Sequence, residues 1–294
     1  MHGVKDTDYK ETAIPIHFYS ADKTGYGFAK VFQSIINEFP AAHALGWRFA
    51  ERNFKAKYRQ SVLGIFWSFL PPIATSILWI VLNKTNVVNF GNTGVPYPIF
   101  VLTGTILWSV FTNSLLMPMQ SMQANKGILV KINFPRESIL INAFYEVLFN
   151  LGFSITVIIF GMIFFHIPLS LHTFLFLPAL LSLVLFGMSV GLLLLPLSVL
   201  YKDIQFMIPL LLQLGFYLTP VIYPRPVYSG MATILKYNPV TPLLTNARSW
   251  LLGLHDALPL WQIAAVTFVA FLLLLVGIFI QRIVIEILIE RMGT

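Results

Sequence analysis

The amino-acid sequence predicts an all-α integral membrane protein with six transmembrane helices. Three observations support this fold class: 57% of the 294 residues are hydrophobic, only 11% are charged, and the mean hydropathy is +0.77. So few charged side chains cannot cover the surface of one or two water-soluble domains of this length. The composition therefore excludes a soluble enzyme, a nucleic-acid-binding protein and a disordered scaffold, although the formal net charge is +7.

Six stretches reach the roughly 20 apolar residues that a helix needs to cross the hydrocarbon core. They lie at approximately 64–83, 96–117, 139–165, 173–199, 204–223 and 261–281. Residues 63–294 are therefore predicted to form one six-span transmembrane domain.

The distribution of Lys and Arg predicts the orientation of these spans. With a cytosolic amino terminus, 15 of the 19 cations lie inside and four lie outside, namely Lys84, Arg225, Lys236 and Arg248. The first 37 residues also lack the apolar core of a cleavable signal peptide. Both termini are expected in the cytosol, where an anionic leaflet attracts the excess positive charge without any nucleic acid.

Residues 1–27 form a polar tail, and residues 28–62 are predicted to form cytosolic amphipathic helices at the membrane interface. The first begins at Phe28 and is expected to end at Pro40, because proline disrupts a helix interior. The second, over 44–62, is a basic interfacial helix. Its cations recur at i, i+4, i+7 and i+11, at Arg48, Arg52, Lys55 and Arg59. They either enforce topology and bind anionic lipid, or meet a phosphate-bearing substrate at the mouth of a transport path.

The cytosolic loop 120–138 is longer than a simple turn between spans requires. Its apolar positions predict a short helix with a face for a cytosolic partner, and the alternative is an interfacial elbow without a partner. On the other side, the proline-rich interval 224–260 contains a helical apolar repeat after Pro242, a residue tolerated in a first turn. We expect a re-entrant helix pair there, between spans five and six, sheltered by protein or a wet cavity.

Aromatic side chains are concentrated in the first and fifth spans, and a mid-membrane amide, Gln213, shares the stripe of Phe216 and Tyr217. In the first span the group includes Phe66, Trp67 and Phe69. These residues either form an interfacial belt with ordinary packing, or line a path for sugar rings, whose C–H faces stack on aromatic rings.

Catalytic signatures are missing from the sequence. It contains no cysteine, no glycine-rich phosphate loop and no His pair at metal-ligand spacing. We therefore expect no ATP hydrolysis and no metal site in this chain. A membrane-embedded transferase or hydrolase would need clustered carboxylates or histidines at one membrane face.

Three segments, taken in order, resemble a known family. They are RNFKAKYRQSVLGIFW at 52–67, NKGILVKINFPRE at 125–137, and LSVLYKDIQFMIPLLLQLGFYLTPVIYP at 197–224, followed by Asn238, Pro239 and RSWLLG at 248–253. Over residues 47–294 the chain resembles the type-2 ATP-binding-cassette (ABC) exporter permeases that move lipid-linked polysaccharides, the O-antigen and teichoic acid exporters. Two features depart from the pattern: Lys202 replaces an expected arginine, and the tail before residue 28 is longer.

The resemblance implies a homodimer in the bacterial cytoplasmic membrane with two ABC ATPase subunits, which would bind the ATP and Mg²⁺ that this chain does not. It also implies site residues in four groups. Substrate phosphate, on an undecaprenyl-diphosphate glycan, would meet Arg52, Lys55, Tyr58 and Arg59. The channel would be lined by Phe66, Trp67, Phe69, Gln213, Phe216 and Tyr217. ATPase coupling would involve Lys126, Lys131, Phe134, Arg136 and Glu137. The outer gate would include Asn238, Arg248 and Trp250.

A sister permease exporting a drug, lipid or other small cargo is the alternative function.

Overall fold

The computed structural model describes residues 28–59, 67, 70–88, 90–129, 131, 134–135, 137–224, 233 and 235–293, with side chains omitted at 28–32, 34–36, 58, 171 and 285–293. All regular structure in these ranges is helical. The α-helices are α1 (Phe28–Tyr58), α2 (Leu70–Lys84), α3 (Tyr97–Ala124), α4 (Lys126–Leu129), α5 (Glu137–Phe164), α6 (Phe176–Leu200), α7 (Lys202–Tyr217), α8 (Val240–Leu252) and α9 (Leu260–Gly293). A 3₁₀ helix, Leu171–Leu175, precedes α6.

Six helices, α2, α3, α5, α6, α7 and α9, alternate in direction along a bundle. We call its two ends the α4 end and the α8 end, after the short helix that each carries. Among the described residues, four segments are long and apolar enough to cross a bilayer: Tyr97–Ala124, Glu137–Phe164, His172–Leu200 and Leu260–Val284. They correspond to the predicted second, third, fourth and sixth spans.

The other two predicted spans are shorter helices in the structure. Helix α2 has 15 residues and α7 has 16, or about 22 and 24 Å at 1.5 Å per residue, against a hydrocarbon core of about 30 Å. Part of the first predicted span lies outside the described residues. For the fifth, the expected end at residue 223 is wrong, because α7 ends at Tyr217 and residues 219–223 are buried without helical structure.

The tightest helix packing joins α3 to α6 through two glycines spaced four residues apart. A Cβ added at Gly187 would lie 2.8 Å from the carbonyl oxygen of Phe111, and one added at Gly191 would overlap the carbonyl group of Leu115. Small residues at this spacing allow membrane helices to approach backbone to backbone. The two glycines therefore set the distance between α3 and α6, the two most buried spans.

Buried polar side chains add hydrogen bonds between helices of the bundle. The hydroxyls of Ser76 and Thr105 lie 2.7 Å apart and join α2 to α3. Asn142 of α5 donates to Ser121 of α3 at 2.6 Å. Gln281 of α9 donates to the carbonyl oxygen of Leu192 at 3.1 Å. Such bonds stabilise an apolar bundle because no water is present in hydrocarbon to replace them.

Helix α1 is continuous through Pro40, so the prediction that a first amphipathic helix ends at this proline is wrong. Pro40 is exposed, and the carbonyl that loses its N–H donor can therefore be hydrated instead. Beyond the proline, α1 packs on the first three turns of α5. A Cβ added at Gly46 would lie 2.7 Å from Ile141, and the Trp47 and Tyr145 rings meet edge to face at 4.9 Å.

We predict that Gly191→Ala destabilises the protein, because the added methyl must displace the backbone of α3; such overpacking costs about 1–3 kcal/mol. Gly152→Ala is the matched control, since nothing lies within 4 Å of a Cβ at this helical glycine. Thermal unfolding in detergent measures both. Equal transition temperatures for the two variants would contradict the packing described for α3 and α6.

Candidate functional site

A basic groove runs along the C-terminal half of α1. It has a volume of about 580 Å³, and its described lining residues are Arg48, Glu51, Arg52, Lys55, Ala56 and Arg59. Glu51 accepts a hydrogen bond from Lys55 at 2.6 Å, and this bond together with the lysine charge lowers the pKa of the Glu51 carboxyl. Four cations against one carboxylate give the groove the charge expected of an anion site.

Three of the four residues predicted to meet a substrate phosphate, Arg52, Lys55 and Arg59, lie together in this groove. The side chain of the fourth, Tyr58, lies outside the described part of the chain. Helical spacing is sufficient to explain the grouping, because residues three and four apart share a face.

Arg52 also connects α1 to the end of α3. Its Nη2 donates to Asn125 Oδ1 at 2.5 Å and to Asn53 Oδ1 at 3.0 Å. Asn53 in turn donates to Glu146 of α5 at 2.9 Å. A side chain predicted only to meet substrate is thus part of a hydrogen-bond chain across α5, α1 and α3.

The α4 loop, residues 125–136, contains the short helix that the sequence predicts. Lys126 and Lys131 are exposed, whereas Leu129 is buried. Phe134 is half-buried, and its ring meets that of Phe49 of α1 edge to face at 5.5 Å. The loop therefore presents cations at its surface while its apolar residues hold it to the bundle. Arg136, predicted to take part in coupling, lies outside the described residues.

Glu137 belongs to an internal ion cluster. Its carboxylate pairs with Nη1 of Arg282 in α9, whose Nη2 lies 3.1 Å from Glu38 Oε1 of α1. The Glu137 side chain is only 14% exposed. Three helices are joined at the α4 end by this cluster, in which Glu137 is paired with Arg282.

The residues predicted to line a channel have different surroundings. Trp67, Gln213 and Tyr217 are exposed, whereas Phe216 is half-buried with its ring edge to face with Trp108 at 6.2 Å. Exposed apolar side chains cover much of α7, namely Phe206, Met207, Leu210, Leu211 and Leu214. Phe66 and Phe69 lie outside the described residues.

Helix α8 lies inside the bundle: all 13 of its residues are buried. Asn238 joins its start to the end of α7, because its Nδ2 donates to Thr219 Oγ1 at 2.9 Å while its Oδ1 accepts from the Val240 N–H at 2.9 Å. Trp250 is 9% exposed and belongs to the main core. Gly253, with φ of +68°, ends the helix in the left-handed conformation that favours glycine.

Arg248 is completely buried beneath the non-helical segment 218–223. Its Nη1 donates to the carbonyl oxygens of Pro220 and Val221 at 2.9 and 3.0 Å, and its guanidinium lies 3.8 Å from the centre of the Phe100 ring. A Cβ added at Gly104 would overlap the Val221 carbonyl. Since Gly104 is seven residues into α3, the segment lies about 10 Å along the axis from the N-terminal end of that helix.

The profile of the ABC-2 type transporter family matches residues 45–252, which is more than half of the chain. The chain belongs to the ABC-2 type transporter family. The matched range begins within α1, just before the basic groove, and ends with the last residue of α8. It therefore contains all four groups of predicted site residues.

Relatives of this ABC-2 chain include proteins named O-antigen export system permease protein RfbA. The one from Myxococcus xanthus is 29% identical over 229 residues, which cover 74% of this chain and 85% of the relative. Two from Klebsiella pneumoniae are 27% identical over 231 residues, which cover 77% of this chain and 86% of each relative. The similarity thus extends over about three quarters of the chain.

Sequence reasoning missed several residues that organise the ABC-2 site. Asn125 and Asn53 lie within segments that resemble the family, but neither carries a charge that points to a role, and Arg282 is one of the 15 cations assigned to the cytosolic side. One signal was available in the sequence, since the spacing of Gly187 and Gly191 is that of close helix pairs.

We predict that Arg248→Met lowers the thermal stability of the detergent-solubilised protein, because two buried carbonyls lose their donor at a cost of about 1–3 kcal/mol each. Lys236→Met, an exposed cation in the same predicted interval, is the control. If the two variants unfold at the same temperature, Arg248 does not stabilise segment 218–223.

Proposed function

We propose that this chain is the membrane permease subunit of an ATP-driven exporter of a lipid-linked polysaccharide. The observation that carries the proposal is the basic groove, which lies beside the exposed α4 loop in a member of a transporter family. A groove rich in Arg suits phosphate, since guanidinium groups bind phosphate oxygens in pairs. The relatives, which are named O-antigen export permeases, supply the polysaccharide class.

The membrane in this proposal is the bacterial cytoplasmic membrane, with the α4 end and both termini in the cytosol. The Lys and Arg distribution supports this orientation, because cations concentrate on cytoplasmic segments. The groove then lies on the side where a lipid-linked glycan is assembled, and its diphosphate meets Arg52, Lys55 and Arg59.

Two ABC ATPase subunits bind the α4 loops of a permease homodimer in this proposal. Lys126 and Lys131 are exposed on the loop and available to an acidic partner surface.

The apolar exposed side of α7 is the surface that a second copy covers, with Gln213 and Tyr217 beside the transport path. In this proposal α2 and α7 belong to the first and the fifth crossing, respectively.

The outer gate in this proposal is a re-entrant structure of which α8 is the returning half. Its complete burial and its contact with segment 218–223 support this assignment, because irregular backbone at membrane depth requires shelter by protein. The inbound half falls mostly on residues outside the described ranges.

Depletion of the protein tests the cargo. We expect undecaprenyl-linked polymer to accumulate inside the cell while surface polysaccharide falls, as measured by lipid extraction and mass spectrometry, and wild-type expression to restore both pools. Unchanged pools in a strain without a second exporter would contradict the polysaccharide proposal and favour a small cargo.

Charge reversal at the α4 loop tests the ATPase contact. We expect Lys126→Glu combined with Lys131→Glu to abolish export while the protein stays in the membrane, because like charges then oppose the acidic partner. Lys236→Glu is the matched control at the other end of the bundle. Surface polysaccharide and membrane abundance are measured together, and normal export by the double variant would place the contact elsewhere.

A further inference from the structure

We propose that Arg52 reports occupancy of the basic groove to the α4 loop, a regulation that rests on the proposed function of this groove. A phosphate group bound there competes with Asn125 for the Arg52 guanidinium and releases the loop. The ligand class is a phosphate anion, which a phospholipid headgroup or a lipid-linked diphosphate can supply.

Arg52 belongs to the groove and to the loop at once. It lines the groove with Arg48 and Arg59, and its Nη2 reaches Asn125 Oδ1 at 2.5 Å, across 73 positions of sequence. Asn125 is completely buried between the end of α3 and the start of α4. Its Nδ2 donates to the Ser121 carbonyl at 2.8 Å, so the two ends of one amide join α3 to α1.

The bond to Asn125 is the one that a phosphate would replace. An amide oxygen is a neutral acceptor, whereas a phosphate is negatively charged and can bind a guanidinium through two parallel N–H···O bonds. Arg52 is also held to Asn53 through Nε at 3.3 Å and Nη2 at 3.0 Å. Because Asn53 is bonded to Glu146 of α5, the guanidinium stays near the groove after it leaves Asn125.

Loss of this bond changes the α4 loop directly. Helix α4 begins at the residue after Asn125 and exposes Lys126 and Gly127, while Leu129 stays buried. A ligand shifts such an equilibrium only through its different affinities for the two states. Here the difference is whether Arg52 is bonded to Asn125 or available to the phosphate.

A single spin label on the loop tests the inference without any ATPase. The chain has no cysteine, and a Cβ at Gly127 meets nothing within 4 Å, so Gly127→Cys provides one unique labelling site. The labelled protein, in micelles of dodecyl maltoside, which contains no phosphate, is titrated with undecaprenyl diphosphate, with undecaprenol, which lacks phosphate, and with phosphatidylglycerol. We expect label mobility to rise with undecaprenyl diphosphate and not with undecaprenol.

Two substitutions at Asn125 should act in opposite directions. Asn125→Ala removes the acceptor, so the label is mobile without lipid and responds no further. Asn125→Asp forms an ion pair with Arg52, and we expect the half-maximal lipid concentration to rise about three- to tenfold, as one strengthened bond allows. If Asn125 acted only as the C-cap of α3, both substitutions would shift the label mobility in the same direction. Should Asn125→Ala fail to fold, Asn125→Asp carries the test.

Asn142→Ala is the matched control, since Asn142 is also a buried amide bonded to Ser121. We expect it to keep the full lipid response. A normal response in both Asn125 variants would overturn the role of Arg52 and leave the export proposal standing. Equal responses to undecaprenyl diphosphate and undecaprenol would overturn the phosphate contact itself. An equal response to phosphatidylglycerol would support the coupling and assign the phosphate to a phospholipid.

Discussion

Backbone polar groups that lie away from water must find partners inside the protein, and this constraint organises the α8 end. The apolar helices meet it through their own hydrogen bonds, but residues 219–223 are buried without helical structure. Arg248 resolves the conflict by donating to two consecutive carbonyls. A buried guanidinium would otherwise be costly, and the Phe100 ring beneath it contributes a favourable cation–π contact.

At the α4 end, charged and amide side chains form ion pairs and hydrogen bonds between helices, in addition to the apolar packing. Arg282 joins α1, α5 and α9, and Arg52 with Asn53 joins α1 to α3 and α5. Both networks include α1. The helix that carries the groove is therefore attached to the bundle by polar bonds, which an anionic ligand can compete for, as well as by the aromatic contacts with α5.

The sequence predicts the apolar helices well because their hydropathy is a local property. The groove is equally local, since Arg52, Lys55 and Arg59 follow from helical spacing. The position at which α7 ends is not determined by local sequence, since Val221 and Ile222 are as apolar as the residues before them. The chain leaves the helix where Arg248, 27 positions away, supplies hydrogen-bond donors. The same reason hides Asn125, whose importance depends on a residue of another helix. At Pro40 the sequence predicts a helix end that the structure does not have. Because Pro40 is exposed, α1 continues through it.

The hydrogen bonds that join α8 to the connections before and after it have a mechanical consequence. Asn238 fastens its start to the end of α7, while Asn246 exchanges hydrogen bonds with the backbone of Leu258, two residues before α9 begins. Ser249 and Asp256 add a second fastening to the same connection. Hydrogen bonds therefore link α7 to α8, and α8 to the connection that leads into α9. A displacement of the sparsely packed α7 would therefore pull on α8 and, through it, on the start of α9.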